Sequence, residues 1–101
     1  MVTQAEQDVL DERTRQVKIE GWTAKHDDKH NAGELPCAAA AYAIASIPNI
    51  GPNYINTAYD RYWPWHRAWW KPTTPRRNLV KAAALIIAEI ERIDRCQKPS
   101  A

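Results

Sequence analysis

Three clusters in this sequence hold side chains able to do chemistry. The first is His26-Asp27-Asp28-Lys29-His30, followed by Glu34. Imidazoles and carboxylates are ligands for zinc, manganese and magnesium. If the stretch is helical, His26 and His30 lie four apart on one face, Glu34 extends the row and Asp27 stands beside it. The competing reading is a solvated turn whose aspartates cap the next helix. The second cluster is Glu34 with Glu91 and Asp94. Carboxylates aimed at a helical core are costly unless they are paired, hydrogen bonded or bound to a metal. Mg²⁺ or Mn²⁺ bridging them to a polyphosphate would satisfy them. Against that, Asp94 is close to the C-terminus, where it reaches solvent or pairs with Arg13 or Arg15. The candidate metal set is therefore His26, Asp27, His30, Glu34, Glu91 and Asp94.

The third cluster is Tyr62-Trp63-Pro64-Trp65-His66-Arg67-Ala68-Trp69-Trp70-Lys71-Pro72, with Arg76 and Arg77 close behind. Four tryptophans in eight residues exceed what a loop needs for packing. Indole faces stack on bases, and interleaved cations hold phosphates. Arg76 and Arg77 fall in the first turn of a helix, where unpaired backbone N–H groups also favour anions. The candidate ligand-binding residues are Trp63, Trp65, Arg67, Trp69, Trp70, Lys71, Arg76 and Arg77. Two alternatives remain open: the rings form a satellite core in a chain without phenylalanine, or they form an interface, where Trp, Tyr and Arg are enriched.

The elements that position these clusters read as helices. Good helix formers from about Thr3 to Lys18 predict a surface helix with a thin apolar stripe, stopping at Gly21. Residues 21–31 read as a polar turn. Asn31-Ala32-Gly33-Glu34 has the form of a capping box, with Pro36 in the first turn of a helix that runs to about Ile47 and stops before Pro48. Apolar on nearly every side, this helix should be the central one. Residues 48–74 hold four prolines and Gly51 and predict a long irregular loop, with a short helix near Tyr54 to Tyr62. Thr74 and Pro75 then open the last helix, which continues to about Arg95. On a helical wheel Leu79, Val80, Ala82, Ala83, Ile86, Ile87, Ile90 and Ile93 form one arc, predicted to face the core, opposite Lys81, Ala84, Ala88, Arg92 and Arg95. The fold class is all-α: one domain over residues 1–101, a small bundle of three principal helices with a Trp/Pro-rich loop between the second and third.

Composition narrows the function classes. A net charge of +2 is too small for a general nucleic-acid binder, so no sequence-specific nucleic-acid partner is expected. The longest apolar run, near Ala38 to Ala45, is too short to span a bilayer, and no N-terminal stretch resembles a signal peptide. The expectation is a cytoplasmic protein without a membrane partner. Cys37 and Cys96 follow no metal-ligand spacing; they read as reduced thiols, with Cys37 buried and inert. A pocket of useful size in so short a chain points to a homo-oligomer.

Glu20-Gly21-Trp22-Thr23, the His26–His30 motif, Gly33-Glu34-Leu35, Trp63-Pro64-Trp65, Trp69-Trp70-Lys71-Pro72, Leu79-Val80-Lys81-Ala82 and Ala88-Glu89-Ile90-Glu91-Arg92 resemble a family of short phage and prophage proteins. The resemblance covers nearly the whole chain after Val9 and implies a phage-type origin, with the host cytoplasm as its location. More loosely, Glu91-Arg92-Ile93-Asp94 is similar to the second acidic motif of the all-α MazG-like nucleotide pyrophosphohydrolases, which hold Mg²⁺ against a nucleoside triphosphate. The first acidic pair of that family has no counterpart on the helix carrying Glu34.

Three functions follow as expectations. The first is binding of a nucleotide-like, phosphate-bearing small molecule, which would sequester a host immune nucleotide signal. The second is metal-dependent hydrolysis of a nucleoside triphosphate. The third is an adaptor or inhibitor that docks on a host protein through the Trp-rich loop.

Overall fold

A computed structural model describes residues 1–48 and 52–97. Among the described residues every element is helical: α1 (Gln4–Lys18), α2 (Ala24–Asp27), α3 (Glu34–Ala45), α4 (Pro52–Tyr62) and α5 (Pro75–Gln97), with a 3-10 turn over Arg67–Trp69. The all-α fold is the expected one. Residues 49–51, which include Gly51 of the proline-rich stretch, lie outside the described residues.

Local chemistry sets most boundaries. Thr3 accepts from the Glu6 backbone N–H at 3.2 Å, and the Glu6 carboxylate accepts from the Thr3 N–H at 3.0 Å, a reciprocal cap for α1. These bonds, the backbone one first, hold the Glu6 carboxyl below its ordinary range. Gly21, at φ 77°, turns the chain back so that the Trp22 N–H donates to the Gln16 carbonyl at 2.9 Å. A left-handed residue past a helix end is a glycine position. Thr74 caps α5 and Pro75 is its first residue, as the sequence indicates.

The start of α3 differs from expectation. Its cap is Gly33, at φ 88°, with no side-chain cap, and Asn31 takes no part. Glu34 is the first helical residue; its carboxylate accepts the Ala32 N–H at 2.7 Å instead of closing a box with Asn31. Cys37 is exposed on α3 rather than buried, and Cys96 is exposed as well.

α3 is central. It buries Leu35, Ala38, Ala39, Ala41, Tyr42 and Ala45, packing against α5 on one side and α4 on another. Its alanines dictate how α5 docks. Close approach of two helices needs small side chains on both, and α5 offers Ala82, Ala84 and Ala88, all buried, with Leu85 interlocking beside them. The expected arc faces the core only in part: its Val80 and Ala82 are buried, but Leu79, Ile86, Ile90 and Ile93 are exposed, and Ala84 and Ala88 from the opposite side are buried in their place.

Asn78 locks this docking. Only 1% exposed, it donates from Nδ2 to the Ala45 carbonyl at 3.0 Å, while its Oδ1 accepts the Thr73 N–H at 2.7 Å. One amide thus satisfies the C-terminus of α3 and fixes the entry to α5. Asn78→Ala should cost about 2 kcal/mol, because a buried carbonyl and a part-buried N–H lose their partner. Chemical denaturation would show a lower midpoint with an unchanged slope.

Candidate functional site

The hollow is assembled from three segments. Gly21 delivers Trp22 at the end of α1. Thr23 then caps the single turn of α2, accepting the His26 N–H at 3.3 Å, and the chain continues to His30. From the other side, Trp63 anchors the Trp-rich segment: it is 8% exposed, and its indole N–H donates to the His66 carbonyl at 3.1 Å. The result is an open hollow of about 370 Å³ lined by Glu20, Trp22, His26, His30, Trp65, His66 and Trp69. All three histidines of the chain line it, with three of its five tryptophans.

The rings brace one another. Trp22 lies parallel to His26 with centroids 6.4 Å apart, His26 meets His30 edge-on at 4.8 Å, and Trp65 touches both His30 (5.2 Å) and Trp22 (5.8 Å). Each imidazole also has its Nδ1 engaged. His26 Nδ1 is 3.4 Å from Asp27 Oδ1, and His30 Nδ1 is 3.3 Å from Glu34 Oε2. His66 Nδ1 accepts the Ala68 N–H at 3.0 Å, capping the 3-10 turn. A ring whose Nδ1 accepts carries its proton on Nε2 when neutral; one whose Nδ1 faces a carboxylate leaves Nε2 as an acceptor. The hollow therefore combines Nε2 donor and acceptor capacity with aromatic walls.

Two of the five indoles serve packing instead. Trp63 and Trp70 pack on Tyr42, at 5.5 and 4.9 Å, and Trp70 also meets Tyr59. Trp65 and Trp69 line the hollow, whereas Trp63 is buried in the core and Trp70 packs against it, as the inner side of Trp65 also does.

The cationic shelf is not assembled as expected. Arg76 bonds to Asp8 on α1 at 2.8 Å, and Arg77 bonds to Glu12. Arg67 lies over the Tyr59 ring at 5.0 Å. Only Lys71 keeps company with the hollow, its Nζ 5.8 Å from the Trp69 ring. Next to the hollow, and sharing Glu20, Trp22 and Trp69 with it, is a small crevice where Lys71, Lys81 and Arg15 supply cationic side chains. Lys81 Nζ donates to the Lys71 carbonyl at 2.8 Å and sits over the Tyr42 ring. Burial, aided by the charge of Arg77, pushes its ammonium below the ordinary lysine range. Tyr42 accepts the Lys71 N–H at 3.2 Å, and burial raises its phenol.

The six metal candidates do not gather at one point. Asp27, 1% exposed, bonds to Arg13 at 2.9 Å, and the same guanidinium takes Glu91 at 3.2 Å. Arg13 thereby ties α1, α2 and α5 together and uses two of the expected ligands. Glu34 stays with His30; hydrogen bonding from its own backbone N–H, then Ala32 and His30, outweighs desolvation and holds its carboxyl low. Asp94 is exposed on α5, and the predicted partner Arg13 goes to Glu91 instead. Among the described residues no three His, Cys, Asp or Glu side chains gather as a metal-binding group. Asp28 belongs to Arg95, at 2.7 Å.

Trp22, Glu20 and His66 line the hollow without having been singled out as site residues. Their sequence signal is adjacency to the candidates: Glu20 and Trp22 stand just before the His/Asp turn, and His66 lies between Trp65 and Arg67 in the Trp-rich cluster. Among the described residues no helix is long and apolar enough to cross a membrane. No protein family, curated protein or solved structure matches the chain.

Proposed function

We propose that the hollow binds a nucleotide-like small molecule, with its flat heterocycle against Trp22, Trp65 and Trp69 and its phosphate toward Lys71 and the crevice of Arg15 and Lys81. The observation that carries this reading is the convergence of three histidines and three tryptophans on one open hollow of about 370 Å³. Pockets for small ligands have this character: largely aromatic walls with a few convergent polar groups. Stacking contributes about 1–3 kcal/mol per base and tolerates any base, while the Nε2 atoms of His26, His30 and His66 read the polar edge. Glu20, held at 2.9 Å by Arg15, would repel a phosphate in the hollow itself and accept an exocyclic amine or a ribose hydroxyl. The anion therefore belongs on the Lys71 side.

Arg76 and Arg77 are left out of this reading, because their charges already serve α1. The resemblance to short phage proteins adds a role for such a binder: sequestering a nucleotide signal of the host.

Calorimetry of the purified chain against nucleoside triphosphates and cyclic nucleotides tests the proposal, with indole fluorescence recorded in parallel. The expected result is saturable heat for at least one of them, with indole quenching that saturates over the same concentration range. Absence of heat and of quenching across the panel would refute it. Lys71→Ala should weaken a triphosphate more than the corresponding nucleoside, by about tenfold.

A further inference from the structure

The face of α5 turned away from the core carries Leu79, Ala83, Ile86, Ile90 and Ile93. Leu79, Ile86 and Ile90 are 51%, 48% and 51% exposed. Steps of four, three, four and three residues are the seam spacing of two helices packed along their length. At about 1.5 Å per residue the row is about 21 Å long. Beside it, Val2 ahead of α1 and Leu10 on that helix, both about half exposed, line a shallow groove with Val9 and Ile87. A contiguous apolar strip of this kind on a folded chain marks an interaction surface.

We propose that this face joins two copies of the chain, with their α5 helices antiparallel about a twofold axis beside Ala84 and Leu85. The spacing asks for a helix, and the chain's own α5 fits it in one antiparallel register. Leu79 meets the partner's Ile90, and Ala83 meets the partner's Ile86, a small side chain opposite a large one at the centre of the seam. One step further out, Arg76 falls opposite the partner's Ile93, next to the partner's Asp94. Arg76 is 61% exposed beyond its bond to Asp8 through Nη1, so its other nitrogens can reach a second carboxylate, and Asp94 is exposed on the same flank. The twofold axis repeats this ion pair at both ends, as an isologous interface requires. Antiparallel helices also set opposite dipole ends together. The arc of isoleucines that the sequence assigns to a core is then buried, by a second chain rather than by α3.

Sedimentation of the full chain tests this. The expected mass is twice 11.6 kDa. Ile86→Asp and Ile90→Asp should each give monomers with undiminished helical circular dichroism, since neither side chain supports the core. Arg76→Asp should raise the dimer Kd by at least about tenfold, and adding Asp94→Arg should restore it. A wild-type chain that sediments as a monomer at all concentrations would overturn the proposal, as would an Ile86→Asp chain that stays dimeric. Failure of the charge swap to rescue would overturn the antiparallel register. If an aspartate variant loses its helical signal, the charge-swap pair, which leaves the apolar row intact, decides the matter. The hollow contributes no residue to this face, so nucleotide binding and dimer formation can fail independently.

Discussion

Trp65→Ala is expected to weaken the proposed nucleotide binding by at least about a hundredfold, the largest effect of any substitution in the hollow. Stacking on one indole accounts for about 1–3 kcal/mol, and Trp65 does more than offer a face. Its ring contacts Trp22 at 5.8 Å, His30 at 5.2 Å and Trp63 at 5.3 Å, so it clamps all three segments that form the hollow. Removing it leaves His30 without one wall and lets Trp22 rotate. Trp69→Ala should do less, about tenfold, because Trp69 is 48% exposed and its only ring partner among the described residues is the Lys71 ammonium. Trp70→Ala should lower stability and barely touch affinity, since that ring packs on Tyr42, Tyr59 and Trp63. Titration of the three variants with one nucleotide, beside their thermal melts, separates these roles. Equal losses of affinity in all three, or none in Trp65→Ala, would remove the hollow as the binding site.

The same distinction marks what the sequence could and could not reveal. Local signals were legible: Thr74-Pro75 opens α5, Gly21 ends the first helical region, and α3 ends before Pro48. Both ring-rich segments were legible as candidates, but not which of their rings meet in the hollow and which pack on Tyr42. Long-range partner choice was not. Arg76 and Arg77 lie 68 and 65 residues from Asp8 and Glu12, and nothing in their own helical turn announces that α1 will take them. Arg13 claims both Asp27 and Glu91 for the same reason. The facing of α5 was read correctly at Val80 and Ala82 and missed at its isoleucines, on a different point. A hydrophobicity wheel rewards the bulkiest arc, but α3 presents alanines, and a helix docking on alanines must bring its own small side chains. The cap of α3 failed locally: Asn31 and Gly33 both suit helix starts, and the left-handed backbone at Gly33 is open to glycine in a way that outweighs an asparagine side chain two residues earlier.

The heaviest loss of stability is expected at Glu12, where α1 meets α5 through polar groups rather than through its thin apolar stripe. Glu12 is 2% exposed, with Arg15 on both oxygens at 2.8 and 3.0 Å, Arg77 on Oε1 and the Gln16 amide on Oε2 at 3.1 Å. Burial pushes its carboxyl upward, but hydrogen bonding and charge from Arg15, the charge of Arg77 and the Gln16 bond outweigh burial and leave it below 4.5. Glu12→Ala takes the partner of the Arg77 guanidinium and two of the three bonds of Arg15, which keeps only Glu20. It also strands Gln16, 1% exposed, whose Oε1 already has no partner among the described residues. Removing one side of a buried pair costs about 3–5 kcal/mol. Both arginine heads keep more than a third of their surface in water, which places the expected loss at the lower end, about 3 kcal/mol, or a melting point lower by at least about 12 °C. Glu12→Gln keeps an acceptor and should lose about half as much. The pH dependence follows from the sign of the shift. A carboxyl whose pKa is lower in the folded than in the unfolded chain stabilises the fold above the unfolded value of 4.5 and loses that contribution as the pH falls through the folded value. The gap between wild type and Glu12→Gln should therefore be full at pH 7 and narrow progressively below pH 4.5. Melts across that range that ran parallel would show that the charge of Glu12, as distinct from its shape, contributes nothing to the docking of α1.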